Sequence, residues 1–325
     1  MSMKIGVNFA TTMATPEHIR IAEELGYTHA WCFYSPAIYV DPWMVLALAT
    51  ERTTRIDLGV SVMVPRFRHV ADVACSAATL HQLAPDRVTL VVGAGFTSTA
   101  LLRRKGVPWA VCENFVTQVR SLLAGETIEL EGVEVSLLHE ETSGLRYPID
   151  IPIWIAAHGP KAIGVASRVG NGMITNPTHG DQKLGFDGPA SVQYYGTVLE
   201  PGETYDDPAV LERGGPTASL ALHMGQFGPL AGSPEQLGFA AEIEKLPAED
   251  QAIATHRTHM LSMSELDRRF MTGDVLRNGS LTGTPEDIRE RLDSIEASGA
   301  THFFYCPGGP DIPRELEAFM KATSR

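Results

Sequence analysis

Apolar and polar positions along the chain fall into a repeating order of short strand-like runs and longer helical stretches. Lys4 to Phe9 (KIGVNF) alternates with period two and predicts a strand. Thr15-Pro16-Glu17-His18 then sets a helix start with proline at the first helical position, and the helix runs to Glu24 or Leu25 before Gly26. The order repeats as strand Thr28 to Phe33, helix Pro42 to Thr50, strand Ile56 to Val62, helix Val70 to Leu83 and strand Val88 to Val92. The last of these, VTLVV, is apolar throughout, as expected of a parallel strand covered by helices on both faces.

The middle is less regular. Glu113 to Leu123 predicts a helix, the fourth, and Glu126 to Leu138 predicts two short strands around Glu131-Gly132, a surface hairpin. Ile153 to Ala157 and Met173 to Thr175 are expected as strands five and six, with helix Pro160 to Val169 between them. Residues 178–215 are rich in Gly, Pro and Asp and predict a long loop or lid after strand six, with one or two helical turns near Pro208 to Arg213. Thr217 to His223 (TASLALH) is expected as strand seven, and Glu235 to Asp274 as a polar segment with helical stretches. Thr284-Pro285-Glu286-Asp287 opens an amphipathic helix that stops at Gly299. Thr301 to Tyr305 is the last strand and Pro313 to Ala322 the closing helix. Eight strands, each followed by a helix, imply an α/β fold with a parallel sheet. Eight such units in about 300 residues fit a single (β/α)8 TIM barrel domain over 1–325.

Charge and cysteine content narrow the partners. The net charge of −13 repels nucleic acid and anionic lipid headgroups, so neither is an expected partner. No run approaches the roughly 18 apolar residues of a membrane span. Met1-Ser2-Met3-Lys4 leads straight into the first strand without a secretory apolar region, so a cytoplasmic location is expected. Cys32, Cys75, Cys112 and Cys306 are widely spaced with no CxxC pair, which argues against a zinc site and fits a reducing compartment, so no metal is expected.

Chemistry in such a barrel belongs at the C-terminal ends of the strands. Ile155-Ala156-Ala157-His158-Gly159-Pro160-Lys161 runs from an apolar strand through small residues into a helix start. Its free amides and positive dipole end suit a phosphate; a tight βα turn without ligand has the same spacing, and both readings stand. Gly93-Ala94-Gly95-Phe96 is too short for a dinucleotide fingerprint, and its glycines permit close approach of a flat ring. Arg66, Arg68 and His69 cluster after strand three, either to hold an acidic cofactor tail or to solvate the loop. Tyr34, His158 and His223, read at strand ends, are the candidate proton donors, with structural roles as the alternative. His29 and His302 sit at strand starts, the wrong end. HExxH, GxSxG and P-loop motifs are all absent. Phe9, Trp31, Phe33, Tyr34, Phe96 and Trp109 give an apolar, aromatic pocket, suited to a planar conjugated ring and to hydride transfer away from water.

Four segments carry a resemblance to the bacterial-luciferase-like superfamily, and most to its branch dependent on the deazaflavin coenzyme F420. They are Leu58 to His69 (LGVSVMVPRFRH), Ala77 through Gly95, Pro152 to Lys161 (PIWIAAHGPK) and Thr282 to Glu286 (TGTPE). The resemblance implies a non-prolyl cis peptide at Ser61-Val62 whose bulge backs the cofactor ring. It also implies that Ala157, His158, Gly159 and Pro160 meet the cofactor phosphate, and that Gly95 and Phe96 lie beside the ring. It departs from the family's sugar-phosphate dehydrogenases, which carry an Asp-His pair where this chain has Phe33 and Tyr34, and a glutamate where it has Phe96. Sugar-phosphate oxidation is therefore not expected. The implied activity is hydride transfer between F420 and a small organic substrate, with Tyr34 or His223 as catalytic proton donor. The alternatives are an FMN-dependent monooxygenase served by a separate flavin reductase, a flavin- or deazaflavin-binding protein without turnover, and a phosphate-binding isomerase or aldolase. The last needs a lysine or other basic residue at a strand end, and none is evident. A homodimer through helices two and three, with Ala71 to Ala78 allowing close approach, is the implied assembly.

Overall fold

The strands of the protein are β1 (Lys4–Phe9), β2 (His29–Cys32), β3 (Asp57–Met63), β4 (Val88–Val92), β5 (Ile128–Leu130), β6 (Val133–Val135), β7 (Ile153–Ala156), β8 (Gly172–Thr175), β9 (Ala190–Tyr195) and β10 (His302–Cys306). This is a computed structural model, and it describes residues 3–176 and 183–324. Eight of the strands close into a parallel barrel in the order β1-β10-β9-β8-β7-β4-β3-β2. The other two, β5 and β6, pair antiparallel as the expected hairpin after helix Trp109–Leu123. Among the described residues, no helix is long and apolar enough to cross a membrane.

One strand assignment changes. Thr217 to His223 is the second half of helix Pro208–His223, not a strand. Thr217, Ala218, Ser219, Ala221 and Leu222 are all buried, so the run shows no one-sided period, and its small, β-tolerant residues belong to a helix covered on most of its surface. The seventh barrel strand is β9 (ASVQYY), which pairs with β8 on one side and β10 on the other. It lies within the stretch 178–215 expected as a loop or lid, of which residues 178–182 fall outside the described part. The main helical insertion follows β9 instead. Helices Pro208–His223, Pro234–Glu244, Ala248–His256, Glu265–Phe270 and Gly273–Gly279 share a core of their own, including Val210, Leu222, Phe239, Met263 and Leu276.

Inside the barrel, the lower part is filled by aromatic rings. Trp31 of β2 stacks on Phe304 of β10 with centroids 4.0 Å apart, and Trp154 of β7 meets Trp31 edge-on at 5.3 Å. Glycines on neighbouring strands make room. A Cβ at Gly59 would lie 2.4 Å from Trp31, one at Gly172 2.4 Å from Trp154, and one at Gly6 2.7 Å from Phe304. Beneath the rings lie the strand starts. Asp57 is half-buried and accepts from Trp31 Nε1 (2.8 Å) and Thr89 Oγ1 (3.0 Å). Burial pushes its carboxyl up to about 6 against those two hydrogen bonds. His29 and His302 pack edge to face at 5.0 Å, confirming their place at the closed end.

The two imidazoles give a pH prediction. Burial holds His29 down at about 3, with the charges of His302 and Lys4 adding to it, and His302 at about 4, with Lys4 adding to it. Both are depressed from 6.5, so their contribution to stability is present above pH 6.5 and is lost as pH falls towards 4 and 3. Each contributes a slope of about 1.4 kcal/mol per pH unit in that window. Urea denaturation of His302→Leu and wild type between pH 6 and pH 4 should show a shallower acid limb in the variant by about that slope; equal slopes would contradict the assignment.

Candidate active site

Above the aromatic layer the barrel is lined by small groups. The register of β3 against β4 shifts between Ser61 and Met63, and the Ser61–Val62 peptide is cis, where the resemblance put it. The bulged Val62 reaches Gly93, the residue after β4: a Cβ on Gly93 would lie 2.6 Å from Val62 Cγ1 and 3.1 Å from the Cβ of Ala156 on β7. Three adjacent strands thus meet in one shallow platform of small side chains. Val62 and Ala156 rest directly on the cluster of Trp31, Val91, Trp154, Ile174 and Phe304.

The turn after β7 stands beside this platform. Ala157 is buried and its N–H donates to Ile174 O (2.9 Å). His158 is exposed, with Nδ1 3.4 Å from Thr175 Oγ1. Gly159 caps helix Pro160–Val169 with φ 82°, a conformation suited to glycine, and the space where its Cβ would stand is empty. Pro160 has no N–H, and the first-turn amides of Lys161 and Ala162 have no intrahelical partners. Gly95 also has a positive φ (77°) and packs on Thr99 and Val64, and Phe96 is 71% exposed at the rim.

A polar belt crosses the mouth at the same height. Asn8 Nδ2 on β1 donates to Ser61 Oγ (3.2 Å) and to Gln193 Oε1 on β9 (3.0 Å), and Gln193 Nε2 donates to Asn176 Oδ1 (3.1 Å). Asn8 Oδ1 is buried with no partner. An unmet buried acceptor is uncommon in a native fold and calls for a partner. On the β1–β10 side, a cavity of about 210 Å³ is lined by Phe9, Ala10, Thr12, His18, Met260, Leu261, Pro307, Gly309 and Ile312. His18 is held below the ordinary imidazole range by burial, which outweighs the nearby carboxylates of Glu17 and Asp311.

The other two candidate proton donors, Tyr34 and His223, do not line this cavity. Tyr34 follows β2 and is buried; its hydroxyl accepts from Arg68 Nε (3.3 Å). Arg68 is further committed to ion pairs with Asp41 and Asp72. His69 Nδ1 caps helix Val70–Leu83 by accepting from Ala71 N. Of the two arginines after β3, Arg66 is exposed with no ion pair among the described residues. His223 ends a helix instead of a strand, and its Nε2 lies 2.7 Å from Asp267 Oδ1 inside the second core. Asn8, Gln193 and His18 were not singled out from sequence. The signal available for Asn8 was a polar residue on the same inward face as Gly6.

The sequence profile of the family described as "Luciferase-like monooxygenase" matches residues 9–185, more than half the chain. The chain belongs to this luciferase-like family. Over 98% of its own length and 98% of the relative's, it is 25% identical to a 5,10-methylenetetrahydromethanopterin reductase of Archaeoglobus fulgidus. It is 37% identical over 41% of its length, and 40% of the relative's, to an F420-dependent glucose-6-phosphate dehydrogenase of Beutenbergia cavernae. Among solved structures, the coenzyme F420-dependent tetrahydromethanopterin reductase of Methanopyrus kandleri superimposes with a TM-score of 0.71 at 17% identity, covering 99% of this chain and 98% of the other. That last likeness concerns the barrel fold.

The platform yields a direct prediction. Gly93→Ala places a methyl group against Val62 and Ala156, so the platform rises under any flat ring laid on it. Equilibrium titration should show flavin-type cofactor affinity falling roughly tenfold or more, about 1.4 kcal/mol. Stability should fall by about 1–3 kcal/mol, as for other overpacked sites. Unchanged affinity would place the ring elsewhere.

Proposed function

We propose that this protein is an oxidoreductase that transfers a hydride between coenzyme F420 and a small, largely apolar organic substrate. The observation that carries the reading is the contact of Val62, Gly93 and Ala156 across three adjacent strands, next to the helix start at Gly159. A flat ring with an anionic tail fits that pair of features. The full-length relatedness to an archaeal reductase and the local relatedness to an F420-dependent dehydrogenase support the same cofactor.

The residues fit the group in three ways. The Val62 bulge and Gly93 offer a surface for one ring face, with Gly95 and Phe96 at its edge. The amides at the start of helix Pro160–Val169, with Ala157, His158 and Gly159 leading into it, suit the phosphate. Asn8 Oδ1, buried and unmet, suits an N–H on the polar edge of the ring. When bound, F420 supplies a two-electron hydride carrier. The chain's own part is to orient, exclude water and handle one proton. Phe9, Met260, Leu261, Pro307 and Ile312 give the adjoining cavity apolar walls, which keep water from the transfer. His18 and Thr12 are the polar side chains among its lining residues. A depressed His18 is neutral at pH 7, so one ring nitrogen carries a proton and the other accepts one, and His18 serves the cavity in a way that Tyr34 and His223 do not. Phe33, Tyr34 and Phe96 leave no carboxylate or imidazole for sugar-phosphate oxidation, so the substrate class is a carbonyl, imine or activated alkene.

The test is to titrate cofactor-free protein with F420 and with FMN, following fluorescence. Reduced F420 is then mixed with a panel of such substrates, with and without O2. Micromolar F420 binding and substrate-dependent reoxidation without O2 uptake are expected. Binding of FMN with none of F420, or reoxidation that consumes O2, would overturn the reading in favour of a monooxygenase fed by a flavin reductase.

A further inference from the structure

Three histidines of the helical insertion converge on one point. His223 is the last residue of helix Pro208–His223, His256 the last of helix Ala248–His256, and His259 follows one turn later. Each offers a ring nitrogen within 4.8 Å of the other two. Their ring centroids are 5.5 Å (His223–His256), 5.2 Å (His256–His259) and 6.4 Å (His223–His259) apart. The Nδ1 atom of every one of the three is buried with no hydrogen-bond partner. One orphaned ring nitrogen is a local defect; three in one place are an incomplete set of donors. Behind His223, Asp267 Oδ1 accepts from Nε2 at 2.7 Å, and Asp267 Oδ2 is held by the N–H and hydroxyl of Ser264, each at 2.8 Å. That arrangement fixes the tautomer of His223 and leaves its Nδ1 lone pair free, as a carboxylate does behind a metal-bound histidine.

We propose that His223, His256 and His259 form a binding site for a divalent zinc-like ion, with Asp267 orienting His223 and the fourth position left to water. Three neutral imidazoles are the donor set of zinc and its first-row neighbours, not of magnesium or calcium. Bonds of about 2.0–2.1 Å in a tetrahedron need the nitrogens about 3.4 Å apart, so the set closes by at most roughly 1.4 Å on binding. His259 sits on the connecting segment after helix Ala248–His256, where side-chain rotation and a small loop movement supply that closure. The consequence reaches the cavity. Met260 and Leu261, the next two residues, line it, and the His259 carbonyl accepts from Tyr39 Oη at 3.0 Å. The ion fastens this wall of the cavity to helix Pro208–His223.

The site is tested without any redox cofactor, so its outcome is separate from that of the hydride-transfer reading. Full-length protein is stripped with a chelator, desalted and titrated with Co2+, then Zn2+. One equivalent of Co2+ should give the visible absorption of a tetrahedral site, bleached by one equivalent of Zn2+. His256→Gln and His259→Gln should each abolish it, and Asp267→Asn should weaken Zn2+ binding by roughly 10–100-fold. Zn2+ should also slow amide exchange across residues 257–263 of the wild-type chain, a readout that does not depend on the variants folding. No Co2+ band and no Zn2+-dependent exchange protection in the wild type would overturn the proposal, as would a band that survives in both histidine variants.

Discussion

The barrel interior is packed unevenly along its axis, and the rest of the protein depends on that gradient. Trp31, Trp154 and Phe304 occupy the lower half because Gly6, Gly59 and Gly172 on neighbouring strands give up their side chains to them. Each buried ring contributes on the order of 3 kcal/mol through removal of apolar surface from water. The upper half is finished with Val62, Gly93 and Ala156, which are too small to fill it. The proposed ring-binding platform rests on this difference in side-chain volume between the two layers. The polar belt of Asn8, Ser61 and Gln193 lies at the same level and ties β1, β3 and β9 together across the opening.

The insertion after β9 supplies what the barrel lacks. It has its own apolar core, so it holds its shape without filling the mouth. Its contacts with the barrel are specific. A Cβ at Gly308 would lie 2.4 Å from Thr217, and one at Gly309 2.6 Å from the Arg213 carbonyl, so the turn after β10 is pressed directly on helix Pro208–His223. Arg213 pairs with Glu203, and buried Glu315 accepts from Thr197 and Tyr305, joining the last helix to the end of β9. Burial raises the Glu315 pKa against the attraction of Arg314. The insertion then delivers Met260 and Leu261 to the cavity, so under the proposed function the part of the chain least like an ideal barrel shapes the substrate's surroundings.

Much of this was legible in the sequence. Seven of the barrel strands were recognisable from short apolar or alternating runs, because burial by flanking helices leaves a strong compositional mark. The exception was β9: its ASVQYY run is brief, mixes Ser and Gln with apolar residues, and follows a Gly- and Pro-rich approach. Its polar members face the belt inside the barrel, and that inward polarity removed the signal. TASLALH misled for the converse reason, since small residues on a buried helix read equally well as a strand. The Ser61–Val62 bulge and the Gly159 turn were reached through whole-segment resemblance, not through periodicity. His18 was recognised only as part of a helix start, and the histidine cluster was missed because it is assembled by tertiary packing; only the spacing of His256 and His259 was visible in the chain.

The central claim is that small side chains at the top of β3, β4 and β7 hold a flat, phosphate-tailed redox ring. A crystal structure of the protein soaked with F420 addresses it most directly. The account predicts the ring lying against Val62 and Gly93, its phosphate on the amides at Gly159, and an N–H of its polar edge on Asn8 Oδ1. A ring bound away from β3 and β4, or a phosphate held by side chains elsewhere with Gly159 untouched, would contradict it.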